Sequence, residues 1–449
     1  MTNEITWKLE HEKTSRLLIH FAIPAIIGTM VNALYNIVDR IFIGNGVGAL
    51  AMSGLTLTFP IMLFLQAFGM LIGLGAAPRI SIYLGRKEYA LAEQVLGNMF
   101  TLSLLFGLAS IIPSMIFLED ILLWFGGSEQ TLPYAMDYLY IAIPGNLLAS
   151  FSFGYNAAMR ASGYPKKAMI YMLIGAVSNI ILDPVFIFLF DMGIQGAAIA
   201  TVISMAISAY FVLAHFRSKS TIIHIRRPYL KLHQSIVWAI LSIGISPFAM
   251  QLAGSLVNVI LNQALIKEGG DLAVGAAGII TSVGMLLVML IIGISQGMQP
   301  IIGFNYGAGL SDRVYSTLHT VLIIATIITG SGFLCCELFP TAITSIFTND
   351  KELIEIASNG LRLNLAGFLV VGSQIVICQY FQSIGIAWKA MLLSLSRQVL
   401  FLIPSILILP LFFGLDGVWL SGPFSDILAA MTAWIFLYFH VKSHKKSNN

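Results

Sequence analysis

Long apolar runs, broken only by scattered Gly, Pro, Ser and Thr, alternate along this chain with short polar segments. The runs are too long for buried strands, and the charges gather between them. Helices that cross a bilayer have this pattern, at roughly 20 apolar residues per crossing. Twelve spans are predicted, at about 17–40, 51–78, 94–118, 132–159, 167–190, 193–216, 234–263, 272–303, 314–338, 352–383, 389–412 and 416–440. The expected fold is an all-α membrane protein.

The spans fall six to each half, and the halves repeat one another. IPAI around Pro24 and ISPF around Pro247 are offset by 223 residues. GAAPRISIYLG (75–85) and GMQPIIGFNYG (297–307) are offset by 222, as are ASGYPKKAM (161–169) and SIGIAWKAM (383–391). GIQG (193–196) and GLDG (414–417) are offset by 221. An offset this constant predicts two pseudo-symmetric six-helix lobes, residues 1–222 and 223–449, usually arranged around a path. An even number of spans per repeat gives both lobes one orientation, with the repeat axis along the membrane normal.

Charge decides which way they face. Of the 24 Lys and Arg, 20 lie toward the termini and the even-numbered loops, counting Lys389 and Arg397 in the first part of span 11; Arg362 lies inside span 10, and only Arg40, Lys267 and Lys351 lie opposite. Both termini are therefore expected in the cytoplasm. The basic linker at about 217–233 (RSKSTIIHIRRPYLKLH) should be solvated and rest near anionic headgroups. Composition agrees: 57% of residues are hydrophobic, 10% are charged, and the mean hydropathy is +0.87. A net charge of +3 gives no reason to expect nucleic acid. The three cysteines sit in apolar stretches without disulfide or metal spacing. No cleavable signal is expected, because the first sixteen residues are polar.

An ionisable group at membrane depth is a functional hypothesis by default. The first half has two, Asp39 late in span 1 and Asp183 late in span 5. Asn179 precedes Asp183 by four residues and shares its helical face. Pro184 should bend the helix there. Thr201 lies eight residues into span 6, about 12 Å deep, close to the level of Asp183. These hard oxygen donors suit Na⁺ or a proton rather than a soft metal. Two carboxylates in one dry pocket repel, so such a pair can load and unload a proton. The bland alternative is that Asp39 caps the end of span 1 beside Arg40.

The second half lacks this pair. Its span 7 carries Gln251, Asn258 and Asn262 but no acid. Arg362, Arg397 and Asp426 lie in its last three spans and are expected to form a buried ion pair that fixes register.

NIVDRIFIG around Asp39, MRASGYP (159–165), NIILDP (179–184) and QPIIGFNYGA (299–308) resemble the multidrug and toxic compound extrusion (MATE) transporters, most nearly the MepA-like and DinF-like bacterial branch. The resemblance covers nearly the whole chain. It implies the MATE/MOP-type fold, a V-shaped pair of lobes in the plasma (inner) membrane around a central cavity. It implies H⁺- or Na⁺-coupled antiport of amphipathic, often cationic drugs and xenobiotics, with no cofactor and no enzyme activity. It also implies that Asp39, Asn179, Asp183 and Thr201 form the cation site. Tyr35, Asn36, Tyr140 and Asn156 are the candidates for lining the site or the drug cavity. The small molecule and the membrane lipids are the expected partners, and the closed bundle is expected to be a monomer. The alternative is a lipid-linked saccharide flippase of the same superfamily architecture, which would need a cationic cavity for pyrophosphate. An intramembrane aspartyl protease is the third class, and its YD and GxGD patterns are missing here.

Overall fold

The computed structural model describes residues 2–448, except for the side chains of residues 2, 3, 33, 36, 45, 49 and 444–448. In its first half, helices α1 (Thr2–His11), α2 (Thr14–Gly46), α3 (Ala49–Gly85), α4 (Tyr89–Ile116), α5 (Leu118–Trp124), α6 (Leu132–Ala161), α7 (Pro165–Pro184) and α8 (Gly193–His215) follow in order. In the second half come α9 (Gln234–Gly307), α10 (Ser311–Leu338), α11 (Pro340–Thr344), α12 (Lys351–Leu365), α13 (Phe368–Ser383), α14 (Ala387–Leu395), α15 (Ile403–Ile408) and α16 (Pro410–Asn448).

Among the described residues, nine helices are long and apolar enough to cross a membrane, or ten if α12 and α13, bent by 49°, form one span. The chain is thus an all-α, multi-pass membrane protein. One of the nine, α9, runs for 74 residues. It breaks at Gly270, whose φ of 65° and ψ of −161° are left-handed values open to glycine and not to a side chain.

The hydrophobic core divides by depth. At the end holding the chain termini, one cluster joins both halves, from Leu17 and Ile80 to Met298, Phe304 and Leu437. At the opposite end there are two separate clusters. One draws only on residues 43–198, the other only on residues 265–419. The halves are therefore sealed together at one end and have their own cores at the other.

The seal explains the repeated glycines. A Cβ on Gly85 would stand 2.0 Å from the Phe304 carbonyl oxygen, and one on Gly307 would stand 2.1 Å from that of Ile82. Residue 85 maps to 307, and 82 to 304, at the 222-residue offset read from the sequence. Likewise Gly75 abuts Gly244, and Gly297 abuts Ala22. Residue i meets j+222 while j meets i+222, which is the reciprocity a two-fold relation produces. With apolar lipid offering no hydrophobic drive, such small-residue contacts are how helices in membranes come close.

The basic linker keeps Arg217, Lys219, Arg226, Arg227 and Lys231 exposed, as expected, but its backbone is docked and not free. Ile223 is fully buried, and the segment is bonded along α4. Asn98 Nδ2 donates to the Tyr229 and Lys231 carbonyls at 3.1 and 3.2 Å, while Asn98 Oδ1 accepts from His233 N at 2.8 Å. Thr101 Oγ1 donates to the Leu230 carbonyl at 2.6 Å, and Glu93 holds Arg226 Nε at 2.7 Å. A chain with backbone groups to satisfy docks where side chains can satisfy them. Asn98→Leu is expected to speed limited proteolysis between residues 217 and 233 by about tenfold, by freeing this segment for local opening. Unchanged cleavage would mean that the anchor lies elsewhere.

Candidate functional site

Asp39 lies on α2, seven residues before the helix ends at Gly46. It is 9% exposed and turned into the bundle, while its neighbour Arg40 is exposed over the Phe59 ring at 5.5 Å. The capping arrangement beside Arg40 is therefore not what forms. Asp183 is the penultimate residue of α7 and is fully buried. Pro184 follows it, and the backbone widens into a π turn over Val185–Leu189, with Phe190 N donating to the Val185 carbonyl at 3.0 Å. The ring of Pro184 clashes with the preceding turn and carries no N–H. The expected bend is thus taken up as a π turn, a feature frequent at functional sites.

The two carboxyl groups lie within hydrogen-bonding reach of one another. A carboxyl–carboxyl hydrogen bond needs one proton, since two carboxylates only accept. Asn179 Nδ2 donates to Asp183 Oδ1 at 3.1 Å and to Thr201 Oγ1, on α8, at 3.4 Å. Asp39, Asn179, Asp183 and Thr201, from three helices, are thus brought into one cluster.

With both acids ionised, three buried oxygens of this cluster have no hydrogen-bond partner: Asp39 Oδ1, Asp183 Oδ2 and Asn179 Oδ1. A buried acceptor left without a partner costs about 1–3 kcal/mol. Three in one cluster, two of them on carboxyl groups, form a donor set that fits a proton or a hard monovalent cation. Among the described residues no group of three or more His, Cys, Asp or Glu side chains could hold a metal ion.

The other candidates divide. Tyr138, not Tyr140, is the tyrosine of α6 at this cluster: it is 7% exposed, and its hydroxyl is within reach of Thr201 and near Asp39, Asp183 and Tyr35. Tyr140 is 48% exposed and points away. The stripe Ala135, Tyr138, Leu139, Ala142 and Ile143, all buried, follows i, i+3, i+4 spacing. That spacing was the available signal for Tyr138. Asn156 lies 18 residues beyond Tyr138 on α6, about 27 Å along the axis. It donates to the Ala168 carbonyl at 2.7 Å and accepts from the buried Arg160, so it belongs to the sealed end and not to this site. The side chain of Asn36 lies outside the described residues.

In the second half, Arg397 Nε donates to Asp426 Oδ1 at 2.6 Å. Arg362 is exposed and takes no part in this pair. The expected ion pair forms between Arg397 and Asp426 without Arg362, because the face of α12 that packs inward is Ala357, Gly360, Leu361 and Leu365.

The sequence profile of the MatE family matches residues 24–185 and again 247–407, the same spacing as the internal repeat. The multidrug export protein MepA of Staphylococcus aureus (strain NCTC 8325 / PS 47) is 27% identical over 441 residues, 98% of this chain and 96% of that protein. Two solved structures superimpose over nearly the whole length. One is a MATE in the bent conformation, with a TM-score of 0.93 and 23% identity, covering 99% of this chain and 98% of the other. The other is the outward-facing conformation of a multidrug resistance MATE family transporter of the MOP superfamily, with a TM-score of 0.91 and 24% identity, covering 98% of each chain.

Proposed function

This chain belongs to the MatE family, and on that premise we propose that it is an antiporter of the plasma membrane that exports amphipathic, often cationic compounds in exchange for H⁺ or Na⁺. It is a multidrug transporter related to the MepA-type bacterial efflux pumps, and not an enzyme. The observation that carries the coupling is the cluster of three unpartnered buried oxygens on Asp39, Asn179 and Asp183.

In this reading twelve spans form two lobes, residues 1–222 and 223–449. Dividing α9 at Gly270 and adding the 30-residue α6 to the ten apolar spans brings the count to six per half. The excess of Lys and Arg puts the sealed end in the cytoplasm, so the separated cores face outward.

The exchange follows from α2. Its first turns form part of the seal, where Ala22 and Ile26 meet Gly297 and Gly293, and its far end carries Asp39. A cation entering from outside binds Asp39 and Asp183, relieves their repulsion and changes how α2 packs, which displaces the drug. Return to the inward-facing state releases the cation and admits new drug. The cation drives this cycle only by binding the two states with different affinity. The hydroxyls of Thr201 and Tyr138 lie at the edge of the cluster and complete its oxygen set. Tyr138→Phe is expected to raise the cation concentration needed for half-maximal efflux by about threefold to tenfold, the loss of one hydrogen bond. Tyr140→Phe is expected to leave it unchanged, and equal effects of the two would remove Tyr138 from the site.

The test of the proposal is efflux of a cationic dye from vesicles holding the purified protein, with a Na⁺ gradient, a pH gradient, both or neither. Export that follows one of the gradients is expected. Export indifferent to both contradicts antiport. Nothing in the geometry favours a flippase, since Arg397 is matched by Asp426 and Arg362 stands apart.

A further inference from the structure

The second half carries an ion pair where the first has uncharged residues. At the 222-residue offset of its helix Arg397 corresponds to Gly175, and at the 221-residue offset of GIQG and GLDG Asp426 corresponds to Met205. The two helices meet at this level without charges, with a Cβ on Gly175 falling 3.5 Å from the carbonyl oxygen of Ser204, the residue before Met205. The interhelical contact therefore forms without charges in one half. The Arg–Asp pair is an addition to the architecture and not a requirement of it.

The two members are unequally reachable. The Asp426 side chain is 4% exposed, that of Arg397 28%. Asp426 takes the Nε edge of the guanidinium, and among the described residues no side chain or carbonyl hydrogen-bonds Nη1 or Nη2. A guanidinium has five N–H donors. At membrane depth its open end must face a watery space, because hydrocarbon would leave those donors unmet. The following side chain, Gln398, has a buried Oε1 without a partner. Its amide stands 3.7 Å from where a Cβ of Gly254 would be, an ordinary contact distance, so α9 closes one wall there. Both residues sit in a π turn, Ser396–Leu402, which widens the helix between α14 and α15.

We propose that Arg397 and Gln398 form a recognition subsite for the carboxylate and a nearby N–H donor of zwitterionic amphipathic substrates. The end-on fork of Arg397 takes the carboxylate in two parallel hydrogen bonds. Gln398 Oε1 accepts the N–H. Asp426 is a positioning residue that holds the fork through Nε. The charge balance selects the ligand: the pair is neutral, a zwitterion is neutral, and a simple anion would add an uncompensated charge in a low-dielectric space. The inference rests on the reading of this chain as a drug exporter and adds a second determinant, in the opposite half from the cation site.

The test uses two dyes that both carry N–H groups and differ only at the acid, rhodamine 19 with a free carboxylate and its ethyl ester, rhodamine 6G. Binding to the purified full chain in detergent is followed by fluorescence anisotropy, which needs no ion gradient. Arg397→Gln is expected to weaken the carboxylate dye by about tenfold or more, the scale of a charge-assisted bidentate contact, and to change the ester by no more than about twofold. Should that variant fail to fold with Asp426 left unpaired, the double variant Arg397→Gln/Asp426→Asn removes the stranded charge and is expected to show the same selective loss. Equal losses for both dyes, or none, overturn the subsite. A wild type that binds the carboxylate dye through Arg397 but exports neither dye keeps the subsite and ends the antiport reading. A wild type that exports the ester, with a carboxylate affinity indifferent to Arg397, does the reverse.

Discussion

Vesicles carrying Asp183→Asn are expected to lose gradient-driven drug efflux, by about tenfold at the least and to background at most. The variant keeps the size of the side chain and its bond to Asn179, so the fold should persist. What disappears is the second carboxylate. Asp39 then no longer shares its pocket with another acid, and the cation loses the site whose affinity must differ between the two states. A tenfold loss corresponds to about 1.4 kcal/mol of coupling, within the ordinary range for linked sites. Drug binding measured without a gradient should remain within about threefold of wild type, because coupling and not the drug's contacts has been removed. Initial efflux rates under an imposed gradient check the first part and equilibrium dye binding the second. Efflux equal to wild type would detach Asp183 from transport.

The second large effect is expected at the seal. In Gly244→Ala the new Cβ would lie 1.7 Å from the Leu71 carbonyl oxygen, a separation no rotamer change can relieve because the obstacle is backbone. The halves must part there, and the population moves toward the state in which this end is open. A shift from 1:99 to 99:1 requires about 5.5 kcal/mol. Overpacking typically supplies 1–3 kcal/mol, so the expected outcome is a mixture, with the open form raised by about tenfold to a hundredfold. Spin-label distances between α3 and α9 at this end should lengthen, and efflux should slow. Gly307→Ala, facing Ile82 across the same pseudo-two-fold, should act in the same direction. Unchanged distances in both variants would show that the seal is not what holds the halves together.

Much of this was legible in the residue order. The constant offset of paired Gly and Pro positions foretold the repeat, and its reason lies in the reciprocal contacts Gly85–Phe304 and Gly307–Ile82. Asn179 and Asp183 could be joined because four residues make one helical turn. Asp39 and Thr201 could be added because a helix converts residue count into depth. Orientation about the helix axis was harder. Tyr138 and Tyr140 differ by about 200° around α6, and only the buried stripe through Ala135 and Ala142 separates them. Position along the axis separates Asn156 from the site, since it lies with Arg160 at the sealed end, 18 residues along α6 from Tyr138. Arg362 shares the depth of Arg397 and Asp426, but depth says nothing of the face a side chain occupies. The linker hid its docking for another reason: its partners are its own backbone groups, and a carbonyl that will be held by Asn98 looks like any other in the sequence.

Everything proposed about transport depends on Asp39 and Asp183 sharing one exchangeable cation that the drug displaces. The most direct measurement is cation release when drug is added to the purified protein, followed with a pH indicator in weakly buffered detergent and with a Na⁺-sensitive dye in parallel. The account predicts that wild type releases H⁺ or Na⁺ in proportion to bound drug and that Asp39→Asn/Asp183→Asn releases neither while still binding drug. Release of the same size from the double variant would contradict it.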